Sequence, residues 1–223
     1  MFRNFSLCLL ALCLALTAAA PARACDTALV LAIDVSGSID RAEYALQTEG
    51  LAYALRDPEV AAALLGGQVA LTVVQWSGLG QQAVTIPWAR MLSPRHLSAF
   101  IAQAETQPRA FRGSDTAVGE ALSFAAAQFA AVPDCRRKVI DISGDGPENA
   151  GYTVTRARND AAAEGIEINA IAIEDMGPSA PITAFYRNWV ITRGGFVMTA
   201  RGLRDYPRVM REKLLRELIR PIG

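Results

Sequence analysis

Short apolar runs recur along this chain and alternate with longer stretches whose apolar positions repeat at helical spacing. Ala28 to Ile33 is apolar throughout, as in a strand buried on both faces. Val69 to Trp76, Ala83 to Ile86, Val139 to Ile142, Ile166 to Ile173 and Phe196 to Thr199 read as further strands. Tyr44, Leu51, Ala52 and Leu55 form one face of a helix that Asp40 caps, and Glu43 completes a capping box. Leu97 to Ala104 and Val118 to Phe129 read as successive helices, the second apolar at Val118, Ala121, Leu122, Ala125 and Phe129. Thr153 to Glu164 is a helix, Pro181 to Val190 a short one, and Met210, Leu214 and Leu218 line a last helix. Ser77-Gly78-Leu79-Gly80 is too short for a crossover, so the second and third strands pair antiparallel. The pattern predicts an α/β fold: a doubly wound, mostly parallel six-stranded sheet with one antiparallel edge strand and helices on both faces. No repeat, low-complexity tract or linker divides it, so residues 25–223 are expected to be one domain.

The first stretch departs from this pattern. Arg3 precedes an almost continuous apolar run from Phe5 to Ala20, closed by Pro21-Ala22-Arg23-Ala24. That is the anatomy of a secretory signal over residues 1–24, with cleavage expected after Ala24. A membrane anchor is the alternative, but the run is short for a span. Lipid modification of Cys25 is another, opposed by Arg23 and the lack of a Leu three residues upstream. The expected product is periplasmic or secreted, with no membrane insertion after cleavage. Arg3 and Arg23 leave with the segment, so 20 basic side chains remain against 22 acidic. So even a balance has no electrostatic footprint for nucleic acid. Cys8 and Cys13 also leave. Cys25 and Cys135 remain, and an even number in an exported chain suggests a disulfide, with two free thiols as the alternative.

Three segments at strand ends or helix starts carry hard oxygen donors. Asp34-x-Ser36-x-Ser38 follows the first strand, with Gly37 easing the turn. Gly113-Ser114-Asp115-Thr116-Ala117 precedes the Val118 helix, and Ser143-Gly144-Asp145-Gly146 follows the Val139 strand. Oxygen donors with few charges suit Mg²⁺, with Mn²⁺ or Ca²⁺ as alternatives. Zn²⁺ would ask for His or Cys, and the chain has one histidine, His96. Asp-x-Ser-x-Ser alone is equally an ordinary polar turn; its place at a strand end, where doubly wound sheets gather ligands, gives it weight.

With these segments in view, the chain resembles the von Willebrand factor A-type domain family. Ala28-Leu-Val-Leu-Ala-Ile-Asp34-Val-Ser36-Gly-Ser38 is similar to that family's opening. Thr116-Ala-Val-Gly-Glu-Ala-Leu122 is similar to its second metal loop, and Lys138 to Asn149, through Asp145, to its third. The likeness covers nearly all of residues 25–223 and is nearest to an uncharacterised group of exported bacterial proteins with such a domain. It implies a metal-ion-dependent adhesion site. Ser36, Ser38 and Thr116 would offer hydroxyls, Asp34 and Asp145 would act directly or through water, and one position would stay open for a protein partner's acidic side chain. The family's sheet order would set the first and fourth strands side by side, which implies a Cys25–Cys135 disulfide at the edge opposite the metal.

Other residues have readings of their own. Asp141 sits mid-strand as a hydrogen-bonded buried acid, a group behind the metal ligands, or an extra ligand. Asp115 caps the helix or approaches the metal. Glu174 and Asp175 read as solvated residues on the same rim. Arg201, Arg204, Arg208, Arg211, Lys213, Arg216 and Arg220, interleaved with Asp205, Glu212 and Glu217, read as a salt-bridged solvated face, a membrane-surface helix being the alternative. Trp76 and Trp88 read as packing, and His96 as a surface residue at a helix start. No Gly-x-Ser-x-Gly elbow or phosphate-cradling glycine loop appears, so hydrolase and nucleotide chemistry lack their usual parts. A Mg²⁺-dependent phosphatase and a structural domain without metal stay as alternatives to cation-dependent binding.

Overall fold

The computed structural model describes residues 25–113, 115–174 and 181–219. The expected signal segment with its cleavage site, Ser114, Asp175 and Arg220 lie outside the described residues. Six strands form one sheet: β1 (Thr27–Asp34), β2 (Ala70–Trp76), β3 (Gln82–Arg90), β4 (Arg137–Gly144), β5 (Ile166–Ile173) and β6 (Val197–Ala200). Their order is β3-β2-β1-β4-β5-β6, and every neighbouring pair is parallel except β2 with β3. The chain winds outward one way from β1 and the other way from β4, so strand order reverses between these two. Crevices at that reversal are where such sheets hold ligands.

Alternation along β1 builds two apolar layers. Leu29, Leu31 and Ile33 face α1 (Arg41–Arg56), α2 (Pro58–Gly66), α3 (Pro94–Thr106) and α7 (Tyr206–Leu218). Ala28, Val30 and Ala32 face α4 (Val118–Ala127), α5 (Val154–Ala163) and α6 (Pro181–Phe185). Every β1 residue is buried, which explains why its sequence shows no polar alternation. The capping box of α1 forms as its sequence predicts: Glu43 N–H donates to Asp40 Oδ1 at 2.8 Å and Asp40 N–H to Glu43 Oε2 at 2.7 Å. Among the described residues no helix is long and apolar enough to cross a membrane.

Several elements differ from the pattern. β3 extends to Arg90, beyond the apolar Ala83 to Ile86, and contains Pro87. Its register against β2 shifts between Leu71 and Val73, and an edge strand tolerates a proline at such a bulge. Helix α2 was not foreseen; only Val60 and Leu64 of it are buried, too few for a periodic signature, and Asp57 and Pro58 start it. The Val118 helix tightens to a 3₁₀ turn at Gln128–Ala131, and the one after Pro181 widens into a π-type turn at Tyr186–Val190.

The last helix corrects one expectation. Arg208 pairs with Asp205 and Glu212 on the surface, but Lys213 is wholly buried. Its Nζ lies 2.6 Å from Asp141 Oδ1 and 2.5 Å from Glu217 Oε1, to which Asn169 Nδ2 also donates at 2.9 Å. Lys213 shares the sheet-facing stripe of Met210, Leu214 and Glu217 and meets Asp141, so the odd acid of β4 belongs to a buried ion cluster. Burial raises the Asp141 carboxyl and lifts Glu217 to about 7, with Lys213 opposing both. At the other end of the sheet Cys25 and Cys135 form a disulfide, Cα–Cα 4.4 Å, tying the entry of β1 to that of β4. This is the pairing the family resemblance implied.

Candidate metal centre

Asp34, Ser143 and Gly144 bring β1 and β4 to the crevice, Asp34 paired with Trp76 and Ser143 with Ile33 in the ladders. Just past β1 the chain turns, with Ser36 N–H donating to Asp34 Oδ1 at 2.8 Å and Ile39 N–H to the Ser36 carbonyl at 3.0 Å. That turn sets Ser36 Oγ 3.2 Å from Ser38 Oγ, and Ser38 Oγ donates to Asp145 Oδ1 at 2.8 Å across the crevice. Thr116 is buried beside them; a Cβ placed on Gly146 would stand 4.0 Å from its Oγ1. The three segments thus approach one another at the carboxyl ends of the central strands.

The arrangement carries one electrostatic tension. Asp34 is fully buried, and its Oδ2 has no hydrogen-bond partner. Burial first, and then the charge of Asp145, lifts its carboxyl from 3.8 to about 7 against the pull of the Ser36 hydrogen bonds. A buried carboxylate oxygen without a donor is costly unless a cation or proton meets it. Two carboxylates and three hydroxyls fit a hard dication such as Mg²⁺ and not a soft one. Among the described residues no three His, Cys, Asp or Glu side chains cluster to hold a metal, here or elsewhere.

Supporting residues lie where sequence reading missed them. Arg109 donates to the carbonyls of Val35 and Ser36, both at 2.7 Å, clamping the first loop. Asn149 Oδ1 accepts the Thr116 N–H at 2.7 Å, and Asn149 N–H returns to the Thr116 carbonyl at 3.0 Å. Glu148 accepts the N–H groups of Gly119 at 2.8 Å and Val154 at 3.2 Å, so one acid serves the starts of α4 and α5. Glu148 thereby takes the capping role expected of Asp115. The α4 cap residue is Ala117, and exposed Asp115 leans over Gly78, whose added Cβ would stand 3.2 Å from Asp115 Cβ. Glu148 and Asn149 stood in the third motif, but Arg109 lies outside all three.

Tyr186 had no sequence signal either. A Cβ on Gly144 would fall 2.3 Å from the Tyr186 hydroxyl and 3.0 Å from Asp34 Oδ2. Only glycine fits there, and that hydroxyl stands close to the Asp34 carboxylate. It is buried without a hydrogen-bond partner, and burial plus the charges of Asp34 and Asp145 keep its proton on. Trp76, also buried, has its Nε1 without a partner nearby.

The remaining residues sort plainly. Asp141 is in the cluster with Lys213, on the sheet face that Leu29 and Val139 share. Glu174, expected in solvent, is 3% exposed and accepts the N–H of Thr183, in α6, at 2.6 Å. Trp88 packs on Phe129 with ring centres 5.9 Å apart, and exposed His96 meets Ser93 at the start of α3.

The fold recurs in solved structures of low sequence identity. Proximal thread matrix protein 1 from the mussel byssus, solved with a zinc-occupied MIDAS motif, aligns at TM-score 0.65 and 16% identity, over 85% of this chain and 47% of that one. The pilus adhesin SpaC from Lactobacillus rhamnosus GG aligns at 0.64 and 14%, over 85% and 29%. A von Willebrand factor type A protein from Catenulispora acidiphila aligns at 0.60 and 19%, over 86% and 43%. The chain therefore spans less than half the length of these three proteins. No curated protein matches the sequence. A family model described as protein of unknown function (DUF1194) matches residues 24–222. With that match over almost its whole length and this sheet, the chain belongs to the DUF1194 family and has the von Willebrand factor A-type fold.

Proposed function

We propose that this chain is an exported binding domain, without catalytic activity, in which Asp34, Ser36, Ser38, Thr116 and Asp145 hold one Mg²⁺. The observation that carries the reading is the buried Asp34 carboxylate, with Oδ2 unpartnered and three hydroxyls and a second carboxylate close by. When bound, the cation supplies a Lewis-acid position that an acidic side chain of a protein partner completes. The two site carboxylates balance the dication, so the partner's carboxylate is drawn by the ion with little repulsion. The zinc-occupied motif of the mussel protein supports a divalent cation at this place by analogy of fold, and the oxygen-only donors favour Mg²⁺. The disulfide fits an oxidising compartment outside the cytoplasm, periplasmic or secreted.

A phosphatase would want a cationic clamp on the transferred group. It would want a nucleophilic acid as well, and in this reading Asp34 and Asp145 are both engaged by the ion, while Arg109 keeps Nε and Nη2 on the Val35 and Ser36 carbonyls. Calorimetric titration of Mg²⁺ into residues 25–223 tests the proposal. Wild type should bind one ion, while Asp34→Ala and Thr116→Ala should lose most of the affinity and keep the fold by circular dichroism. Equal Mg²⁺ binding by wild type and Asp34→Ala would sink it. Pull-downs from the exported fraction, in Mg²⁺ against EDTA, would then identify the partner.

A further inference from the structure

We propose that a cavity beside the first loop takes a second acidic side chain of the same partner segment whose first carboxylate reaches the metal centre. The inference rests on the cation-bridged reading above and specifies its partner: a peptide segment carrying two acidic residues at a fixed spacing.

The cavity measures about 570 Å³ and is lined by Gly37, Ile39 and the charged Asp40, Arg41, Arg109 and Arg112. Gly37 stands between Ser36 and Ser38, so one wall of the cavity is the loop that carries two of the site hydroxyls. A ligand atom at the metal and a group in this cavity therefore belong to one continuous surface. The volume suits a side chain or two and not a folded domain.

Its charge is lopsided. Three guanidiniums face one carboxylate, and that carboxylate is committed, because Asp40 Oδ1 accepts the Glu43 N–H as the cap of α1. Glu43, the nearest other acid on that helix, is turned back onto the Asp40 N–H. Arg109 is held in place through Nε and Nη2 on the Val35 and Ser36 carbonyls, which leaves Nη1 open. Arg41 and Arg112 are exposed and have no ion pair among the described residues. Guanidinium forks match carboxylates in geometry as well as charge. Cations beside a dication site weaken metal binding and are favourable only if something anionic arrives with the ion. Once the dication is balanced by Asp34 and Asp145, a partner carboxylate adds net negative charge, and the arginines are placed to meet a further one.

A displayed library of random linear peptides, selected on the wild type in Mg²⁺, tests this. The enriched peptides should carry acidic residues at two positions of constant spacing. Arg41→Gln/Arg112→Gln, both at exposed positions that spare the fold, should keep the first acidic preference and lose the second. The peptide selected on wild type should bind the double variant about fivefold more weakly, the size expected for exposed ion pairs. Mg²⁺ affinity should stay equal or tighten. Selection of a single acidic position by wild type, or of the same pairs by the variant, overturns the proposal. So does binding that inorganic phosphate competes away while no acidic peptide does. Enrichment indifferent to EDTA and to Asp34→Ala would instead sink the cation-bridged reading itself. Mg²⁺-dependent selection of one acid would sink only the arginine cavity.

Discussion

Replacing Asp34 by Asn should make the metal-free protein more stable at neutral pH while abolishing its affinity for Mg²⁺. Asp34 is wholly buried, and burial together with Asp145 lifts its carboxyl from 3.8 to about 7. Each unit corresponds to about 1.4 kcal/mol, so keeping it ionised without a cation costs the fold up to ~4 kcal/mol. A carboxyl raised in the native state contributes stability that is complete below 3.8 and lost as the pH rises through about 7. In EDTA the wild type should therefore weaken over that window. Glu217, also near 7, adds to the same slope, so the difference between wild type and Asp34→Asn isolates Asp34. Asparagine keeps an acceptor for the Ser36 N–H and puts an amide donor where Oδ2 has no partner. Mg²⁺ binds the native state and needs the deprotonated carboxylate, so it should restore wild-type stability at neutral pH and leave the variant unchanged. Guanidinium unfolding across this pH range, in EDTA and in Mg²⁺, reads all of this directly. An Asn variant no more stable than wild type in EDTA above the shifted pKa would refute the reasoning.

Three further outcomes are expected. Lys213→Met leaves Asp141 and Glu217 as two buried acids without their cation and should cost about 3–5 kcal/mol at neutral pH, partly recovered by adding Asp141→Leu; a loss near zero by urea titration would show that the cluster contributes nothing. Cys25→Ser/Cys135→Ser opens a loop of 110 residues and should lower unfolding stability by about 3–5 kcal/mol, with Mg²⁺ affinity of the folded fraction retained because the bond lies at the far end of the sheet. Gly144→Ala forces a methyl against the Tyr186 hydroxyl and Asp34 Oδ2; overpacking of this kind should cost about 1–3 kcal/mol and weaken Mg²⁺ binding. Adding Tyr186→Phe should recover part of that loss, and a double variant no better than the single would show that the clash lies elsewhere.

The sheet was legible because its signal is strong and redundant. The parallel strands β1, β2, β4 and β5 are buried over most of their length and so read as near-continuous apolar runs, and the short Ser77–Gly80 link leaves only an antiparallel partner for β2. The candidate set of Asp34, Ser36, Ser38, Thr116 and Asp145 stood out for a related reason: each falls where a central strand ends or a helix begins. What stayed hidden were residues whose roles depend on who faces them. Lys213 reads as one more charge in a basic helix until the sheet places Asp141 opposite. Tyr186 and Arg109 reach the site from elements with no motif of their own. Glu174 looked solvated because nothing local records that the Thr183 N–H will fold onto it. Periodicity tells which face of an element is buried, but not the identity of the side chain across the interface.

The central position of β1 also bears on how the chain folds. Ala28 pairs with Ala70 on one side and with Lys138 on the other, so the strand has no local partner and must wait for distant segments. Such non-local pairing is slow, because loop-closure entropy is lost before the contacts that offset it are made. Asp34 and Asp145 come together only when β4 has docked, and the same event first brings Cys25 to Cys135. The proposed ion site cannot form before that docking, so a dication should have no cluster to gather in the early chain. Added Mg²⁺ should slow unfolding and leave the folding rate nearly unchanged, the kinetic signature of a ligand that binds after the rate-limiting step.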